Sequence, residues 1–211
     1  EMIPMLESKF GLIERKSEVI SFESNIDLKG FHFLTPLFNA IINERVLCII
    51  YKDFKSSEPY EITFHPYYLK QYNNRWFVFG LNSHNHVTNW NLALDRIESL
   101  SETAQKYIPS VTDWDEYFFD LVGVTRPEIG NLEEIVLKFS PAIAPYVITK
   151  PIHPSQKQKN EPTGLEVRIN VIPNFELETL ILSFGEHVKV IAPKDFKERI
   201  SIRLNAARLL Y

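Results

Sequence analysis

The sequence predicts an α+β protein in two units: a short helix on a curled antiparallel meander, an SH3-like or Sm-like β-barrel, then a small ferredoxin-like α/β sandwich. Three observations predict it. Apolar and polar residues alternate in several short runs whose connections are too short for crossovers. Aromatics make up 13% of the 211 residues, with 15 Phe and 9 Tyr, a content that favours strands, where such side chains pack well. The alternation stops near residue 100 and restarts near residue 133, and this length suits two domains of about 100 residues.

The elements follow in order. Residues 31–45, FHFLTPLFNAIINER, set Phe33, Leu37, Phe38, Ile41 and Ile42 at helical spacing, with Thr35 as cap and Pro36 at the first helical position. Leu47, Ile49 and Tyr51 then alternate with Cys48, Ile50 and Lys52, a strand ending in the turn 52–59. Strands over 60–72, 75–81 and 87–100 complete the meander. Asn73-Asn74 makes a tight turn because Asn tolerates positive φ, and 82–85 is the next turn. Residues 101–130 mix acidic and aromatic side chains with Pro109 and Pro127 and read as an interdomain connection. The first unit spans 31–125 and the second 131–211.

In the second unit Ile135, Leu137 and Phe139 mark a strand, 141–148 a helical turn or two, and Leu165, Val167, Ile169 and Val171 another strand. A helix over 174–184, a short strand over 188–191 and a helix over 193–210 follow, the last with Phe196, Ile200, Leu204 and Ala207 on one face. The order reads β-α-β-β-α-β-α, with 157–163 as a polar loop.

Composition excludes several classes. The single cysteine, Cys48, makes no internal disulfide, which fits a reduced cytoplasm. No run approaches the roughly 18 apolar residues of a membrane span, and the first ten residues lack a signal pattern. A start without Met reads as a piece of a longer chain, with 1–30 as a connecting segment. The net charge of -4 is not that of a basic nucleic-acid coat, so phosphate binding would rest on a local cluster.

The motifs argue against catalysis. The chain has no glycine-rich phosphate loop, GxSxG elbow, HExxH pair or CxxC. No cofactor is expected. His84-Asn85-His86 is the best metal candidate, yet it falls in a polar turn and reads as a solvated hairpin tip, so no metal is expected. Asp113, Asp115 and Glu116 read as a solvated acidic linker with aromatics tucked beneath rather than as an acid/base pair.

The informative set is spread over the meander. Tyr51 points the way Leu47 and Ile49 do, and Trp90, Leu92, Leu94 and Arg96 share a face by the strand period. An Arg continuing an apolar face is costly unless an anion meets it. With His65 at the bend before Pro66, the residues Tyr51, His65 and Arg96 are expected to converge as a receptor for a phosphate with an attached base. The plainer alternatives are an Arg96 paired with Asp95, a turn-capping His65 and a core Tyr51. Trp76 and Phe77 read as core.

The run HPYYLKQYNNRWFVFG followed by NLALDRIESL resembles the WYL domain of bacterial transcriptional regulators, with Trp76, Phe77 and Val78 at the family's name motif. Residues 133–211, including LKFSPAIAPYVITKPIHPSQK and SFGEHVKVIAPKDFKERI, resemble the extension that usually follows. The resemblance covers 31–211. It implies an Sm-like barrel that senses a nucleic acid or nucleotide-like ligand behind an N-terminal helix-turn-helix DNA-binding domain, in a homodimer. Tyr51, His65 and Arg96 match the family's Tyr, His and second Arg. Two positions depart: Ile50 stands where the family often has Ser, and Trp90 where it has another Arg. Losing that cation removes a contact of roughly 1.5 to 3 kcal/mol, which Trp90 would replace by stacking. Dimerisation also fits the basic face of the last helix, where Lys194, Lys197, Arg199, Arg203 and Arg208 outnumber Asp195 and Glu198; plain solvent surface fits it equally. A dimerisation or assembly module without its own ligand is the alternative reading of the chain, and a metal-dependent hydrolase or nuclease using the histidines ranks last.

Overall fold

The computed structural model describes residues 29–211, so the connecting segment expected over 1–30 lies, apart from Lys29 and Gly30, outside the described residues. A 3-10 turn at Phe31–Phe33 feeds directly into helix α1 (Leu34–Ile42). Phe33, Leu37 and Ala40 are buried at helical spacing, while Phe38 and Ile42 of the expected apolar face stay exposed. The expected cap is displaced: Thr35 and Pro36 lie inside the helix, and no side chain caps it, because the preceding turn already supplies its entry.

Five strands form the first sheet: β1 (Leu47–Tyr51), β2 (Tyr60–Tyr72), β3 (Arg75–Asn82), β4 (Val87–Ala93) and β5 (Ile97–Glu102). Their order is β4-β3-β2-β1-β5, with antiparallel neighbours. The 13-residue β2 is shared, its first part pairing with β1 and its remainder with β3. Asn73 and Asn74, at φ 46° and 57°, close the turn between Tyr72 and Arg75, as the dipeptide predicts. The strand expected over 87–100 breaks instead. A 3-10 turn at Leu94–Arg96 lets β5 leave β4 and pair with β1. No ladder joins β4 to β5 among the described residues, so the sheet expected as an SH3-like or Sm-like barrel is open between these two edges.

Both faces of this sheet are covered. Leu47, Ile49, Ile62, Phe64, Val78 and Leu92 pack with Leu37 of α1 into one buried cluster. Phe79 points the other way, with Tyr68, Tyr72 and Phe77, under a six-residue helix α2 (Trp114–Phe119). Trp114 stacks on Tyr68 at 5.6 Å, and Phe118 meets Phe79 edge-on at 4.9 Å. The stretch expected to be a plain connection is therefore part of the core. Its acidic rim is solvated as expected, and Asp113 caps α2 by accepting from the backbone N–H groups of Asp115 and Glu116. Close packing at the β2–β3 ladder demands Gly80, where an added methyl would sit 2.1 Å from the His65 carbonyl oxygen.

The second unit contains β6 (Glu133–Phe139), α3 (Ala144–Thr149), β7 (Lys157–Glu161), β8 (Gly164–Val171), α4 (Phe175–Leu182), β9 (Val188–Ala192) and α5 (Lys194–Arg208). Its antiparallel sheet runs β7-β8-β6-β9. Alternating Ile135, Leu137 and Phe139 face the core beside Leu165, Val167, Ile169 and Val171, closed by Leu177, Ile181, Phe196 and Ile200. The expected polar loop at 157–163 is an edge strand instead: β7 holds to β8 through its backbone while its side chains face water, so it carries no apolar signal. Leu204 is exposed, as is Ala207, because α5 outruns the core that holds Phe196 and Ile200. Arg199 and Arg203 pair with Glu178 of α4 at 3.3 and 3.0 Å, which offsets part of the basic face.

Polar side chains tie the units together. Asn174 accepts from the Leu177 N–H at 2.8 Å, and its amide donates to the Val122 and Thr125 carbonyls, both at 2.8 Å. His153, buried, donates from Nε2 to the Phe119 carbonyl at 2.7 Å while Nδ1 accepts from the Ser155 N–H. His65 is held alike: Nδ1 accepts from the Ile108 N–H at 3.1 Å, and Nε2 meets the Ser83 hydroxyl at 3.1 Å. Both imidazoles need one bare nitrogen, and burial pushes both below the usual histidine range.

Two outcomes follow. Phe118→Ala should lower stability by about 3 to 5 kcal/mol in urea unfolding, whereas a solvated connection would lose less than about 0.5. A histidine held neutral contributes stability that is present above its unfolded pKa and lost as pH falls. The urea midpoint should therefore begin to drop as pH falls below 6.5, the ordinary histidine value; a midpoint flat from about pH 7 to about pH 5 would contradict the two neutral imidazoles.

Candidate anion-binding site

The 3-10 turn that breaks the last strand also presents the site. Leu94 is buried and anchors the turn in the sheet core, while the backbone N–H of Lys52 donates to the Arg96 carbonyl at 3.0 Å and ties it to the end of β1. Gly30, at φ 83°, lies so close that an added methyl would sit 2.0 Å from the Leu94 carbonyl oxygen. Only glycine lets the chain pass there, and this passage brings Lys29 to the turn.

Asp95 and Arg96 do not pair with each other. Asp95 Oδ2 takes the Arg75 guanidinium at 3.2 Å. Arg96 lays its guanidinium over the Phe54 ring, 4.0 Å from the centroid. Among the described residues it forms no ion pair, and its buried Nε has no hydrogen-bond partner. A buried donor left without an acceptor costs about 1 to 3 kcal/mol, so this nitrogen is a cost that the fold among the described residues leaves standing.

Tyr51 stands beside it at 4% exposure. Its hydroxyl accepts from the Ala93 N–H at 3.3 Å. Burial pushes the phenol up, and the Ala93 bond and the nearby Arg96 guanidinium offset part of that. Tyr60 packs edge-on against Tyr51 at 6.0 Å and donates its hydroxyl to Asp53 Oδ2 at 3.0 Å. Burial, together with this bond to a carboxylate, pushes the Tyr60 phenol up to about 12. Asp53 Oδ1 accepts from the N–H groups of Lys55 and Ser56, both at 2.7 Å, which lowers the carboxyl to about 2. The loop carrying Phe54 is thus pinned on both sides.

Two clefts flank the turn. One, of about 620 Å³, is lined by Lys29, His32, Lys52, Phe54 and Arg96 together with Asp53, Asp95 and Glu98. The other, of about 750 Å³, lies between the sheet and α4 and is lined by Phe31, Tyr72, Arg75, Asp95 and Glu176. Lys29, Asp95 and Arg96 line both clefts, and the first adds Lys52 and the exposed Phe54 ring on which the Arg96 guanidinium lies.

The expected convergence holds for Tyr51 and Arg96 and fails for His65. Tyr51 pairs with Tyr60 on β2, whereas His65 lies past Phe64, which pairs with Leu47 at the other end of β1. At about 3.4 Å per residue it is roughly 17 Å along the strand from Tyr60. At 2% exposure, with both ring nitrogens engaged, it lines neither cleft. Trp90 pairs with Gly80, packs against the cluster beneath α1 and also lines neither cleft, so it does not replace a missing cation by stacking. The period-two argument that placed Arg96 on the face of Trp90 fails because the strand ends at Ala93. Phe54, His32 and Lys29 have no periodic signal, and Lys52 only the polar end of the first strand's alternation; the trace in the sequence is a lone Phe between lysines, KDFK, in a turn with no core to fill. His84 and His86 sit on an exposed turn, His86 at φ 57°, and no cluster of metal-ligating side chains occurs among the described residues.

Comparison with known proteins completes the description. Residues 32–102 match the model of the WYL domain and residues 131–208 that of the WCX domain. No curated protein matches the chain. Among solved structures it is similar to proteasome accessory factor B/C (PafBC) of Arthrobacter aurescens, at 17% identity and a TM-score of 0.37 over 89% of this chain and 28% of that one. It is also similar to a CRISPR Cas-related protein, at 15% identity and a TM-score of 0.49 over 82% of this chain and 49% of that one. The chain thus spans less than half the length of either. With its first sheet and the Arg96 turn inside one matched stretch and its second sheet inside the other, the chain belongs to the family of WYL-domain proteins, with a WCX domain following the WYL domain.

Proposed function

We propose that this chain is the ligand-sensing part of a bacterial transcriptional regulator, and that it acts in the cytoplasm by binding rather than by turnover. The WYL domain takes residues 31–125 and the WCX extension 131–211. A nucleic acid or nucleotide-like anion binds at Arg96, beside Tyr51, and its occupancy changes how an attached helix-turn-helix domain meets DNA. The observation that carries this reading is the Arg96 guanidinium, whose Nε is buried without a partner among the described residues, at a cleft lined by Lys29, His32 and Lys52. An anion meeting such a group gains charge-assisted hydrogen bonds without breaking an existing pair. Tyr51 shapes the wall behind Arg96; His65 and Trp90 serve the sheet that carries the site. Among the described residues no helix is long and apolar enough to cross a membrane.

A homodimer belongs to the same proposal. On α5 and just beyond it, Ile202, Leu204, Leu209 and Leu210 are exposed large apolar side chains with no covering element. The alternative, an assembly module without a ligand, draws on this same surface.

Fluorescence anisotropy with a labelled single-stranded oligonucleotide over a salt series tests the sensing role. Arg96→Ala should weaken binding by about tenfold to a hundredfold and reduce the salt slope by about one phosphate contact. Equal binding by the two proteins would contradict the site. His65→Asn should lower the unfolding midpoint and leave affinity within about twofold, because His65 touches the fold and not the cleft. Sedimentation should show a dimer at micromolar concentration that Leu204→Glu converts to monomer; a wild-type monomer would remove the homodimer.

A further inference from the structure

Tyr51 was expected to form part of a receptor for a phosphate with an attached base, but at 4% exposure it offers no open ring face. Trp90 is packed into the sheet. The aromatic that does offer a face at the cleft is Phe54, which is 78% exposed. Burying a Phe side chain gains about 1.5 to 3 kcal/mol, a gain that this position forgoes. The loop holds it out nonetheless. Asp53, immediately before it, accepts from the Lys55 and Ser56 N–H groups and from the Tyr60 hydroxyl, and Tyr60 leans on Tyr51. The Phe54 ring also carries the Arg96 guanidinium 4.0 Å from its centroid.

We propose that Phe54 is the base-stacking platform of the Arg96 site, so that the site selects a phosphate bearing an aromatic base over a plain polyanion. This rests on the reading of Arg96 as an anion receptor. The ring positions the cation and, with its exposed surface, takes a planar base whose phosphate reaches Arg96 and Lys52. Stacking of this kind is sequence-tolerant because every base has a π-face. The ligand class is therefore a single strand or nucleotide with no strong base preference, and a chain of phosphates alone would bind weakly.

The test compares three labelled probes on the full 211-residue chain: a short oligothymidylate, an abasic deoxyribose-phosphate strand of equal length, and inorganic polyphosphate. Wild type should bind oligothymidylate about tenfold or more tighter than either baseless probe. Phe54→Ala should remove that preference by weakening only the oligothymidylate. Phe54→Leu should lose it too, since an aliphatic side chain of similar bulk has no ring, and Phe54→Trp should keep it. Equal binding of all three probes by wild type, or a preference that survives in Phe54→Leu, would overturn the platform while leaving the anion site standing. Binding of none of them would instead overturn the anion site. Because Phe54 is exposed, these variants should unfold at the wild-type midpoint, and far-UV circular dichroism with urea unfolding separates a folding defect from a lost contact.

Discussion

The turn at Leu94–Arg96 is the constraint on which the rest depends. Its buried Leu94 sits in the sheet core, its backbone is tied to Lys52, and Gly30 presses against it from the entering chain. The turn sends β5 back to β1 rather than onward from β3, so the sheet ends in two edges and stays open. The same turn puts Asp95 and Arg96 between two clefts. Topology and site thus share one short irregular segment, and a regular strand through it would have aimed Arg96 elsewhere.

Around that turn the charges are divided with some economy. Asp95 is taken through Oδ2 by Arg75, and Asp53 by its own loop. Neither carboxylate pairs with Arg96, whose guanidinium lies on an aromatic ring instead. Cation–π contact with an exposed ring is weak, about 0.5 to 1 kcal/mol, and it uses the face of the guanidinium, while the N–H donors lie in its plane. Histidines take the opposite role. His65 and His153 spend both ring nitrogens on structural hydrogen bonds and so fix the sheet and the seam between the units.

Regular elements were legible in the sequence to the extent that they bury a face. Leu47 to Tyr51, the alternating Ile135 to Phe139 and the Asn73-Asn74 turn are where the pattern puts them. Elements that hold by backbone or by a single side were not: β7 has no inward apolar residues, and α2 is too short to show a helical period. At the site, Tyr51 and Arg96 were legible as a pair. His65 was misplaced because period and bend say which way a side chain points but not which end of a partner strand it meets; the register that decides this is set by pairing. Phe54 was missed because a loop residue has no periodicity, and only its exposure in the folded chain marks it out.

Photocrosslinking tests the central claim most directly, by asking where a bound strand lies on the protein. An oligonucleotide of 4-thiothymidine, irradiated on the chain and mapped by peptide mass spectrometry, should attach within the turn that carries Phe54 and within the segment that carries Arg96. Attachment confined to the His84 to His86 turn or to α5, with those two segments unmarked, would contradict the account.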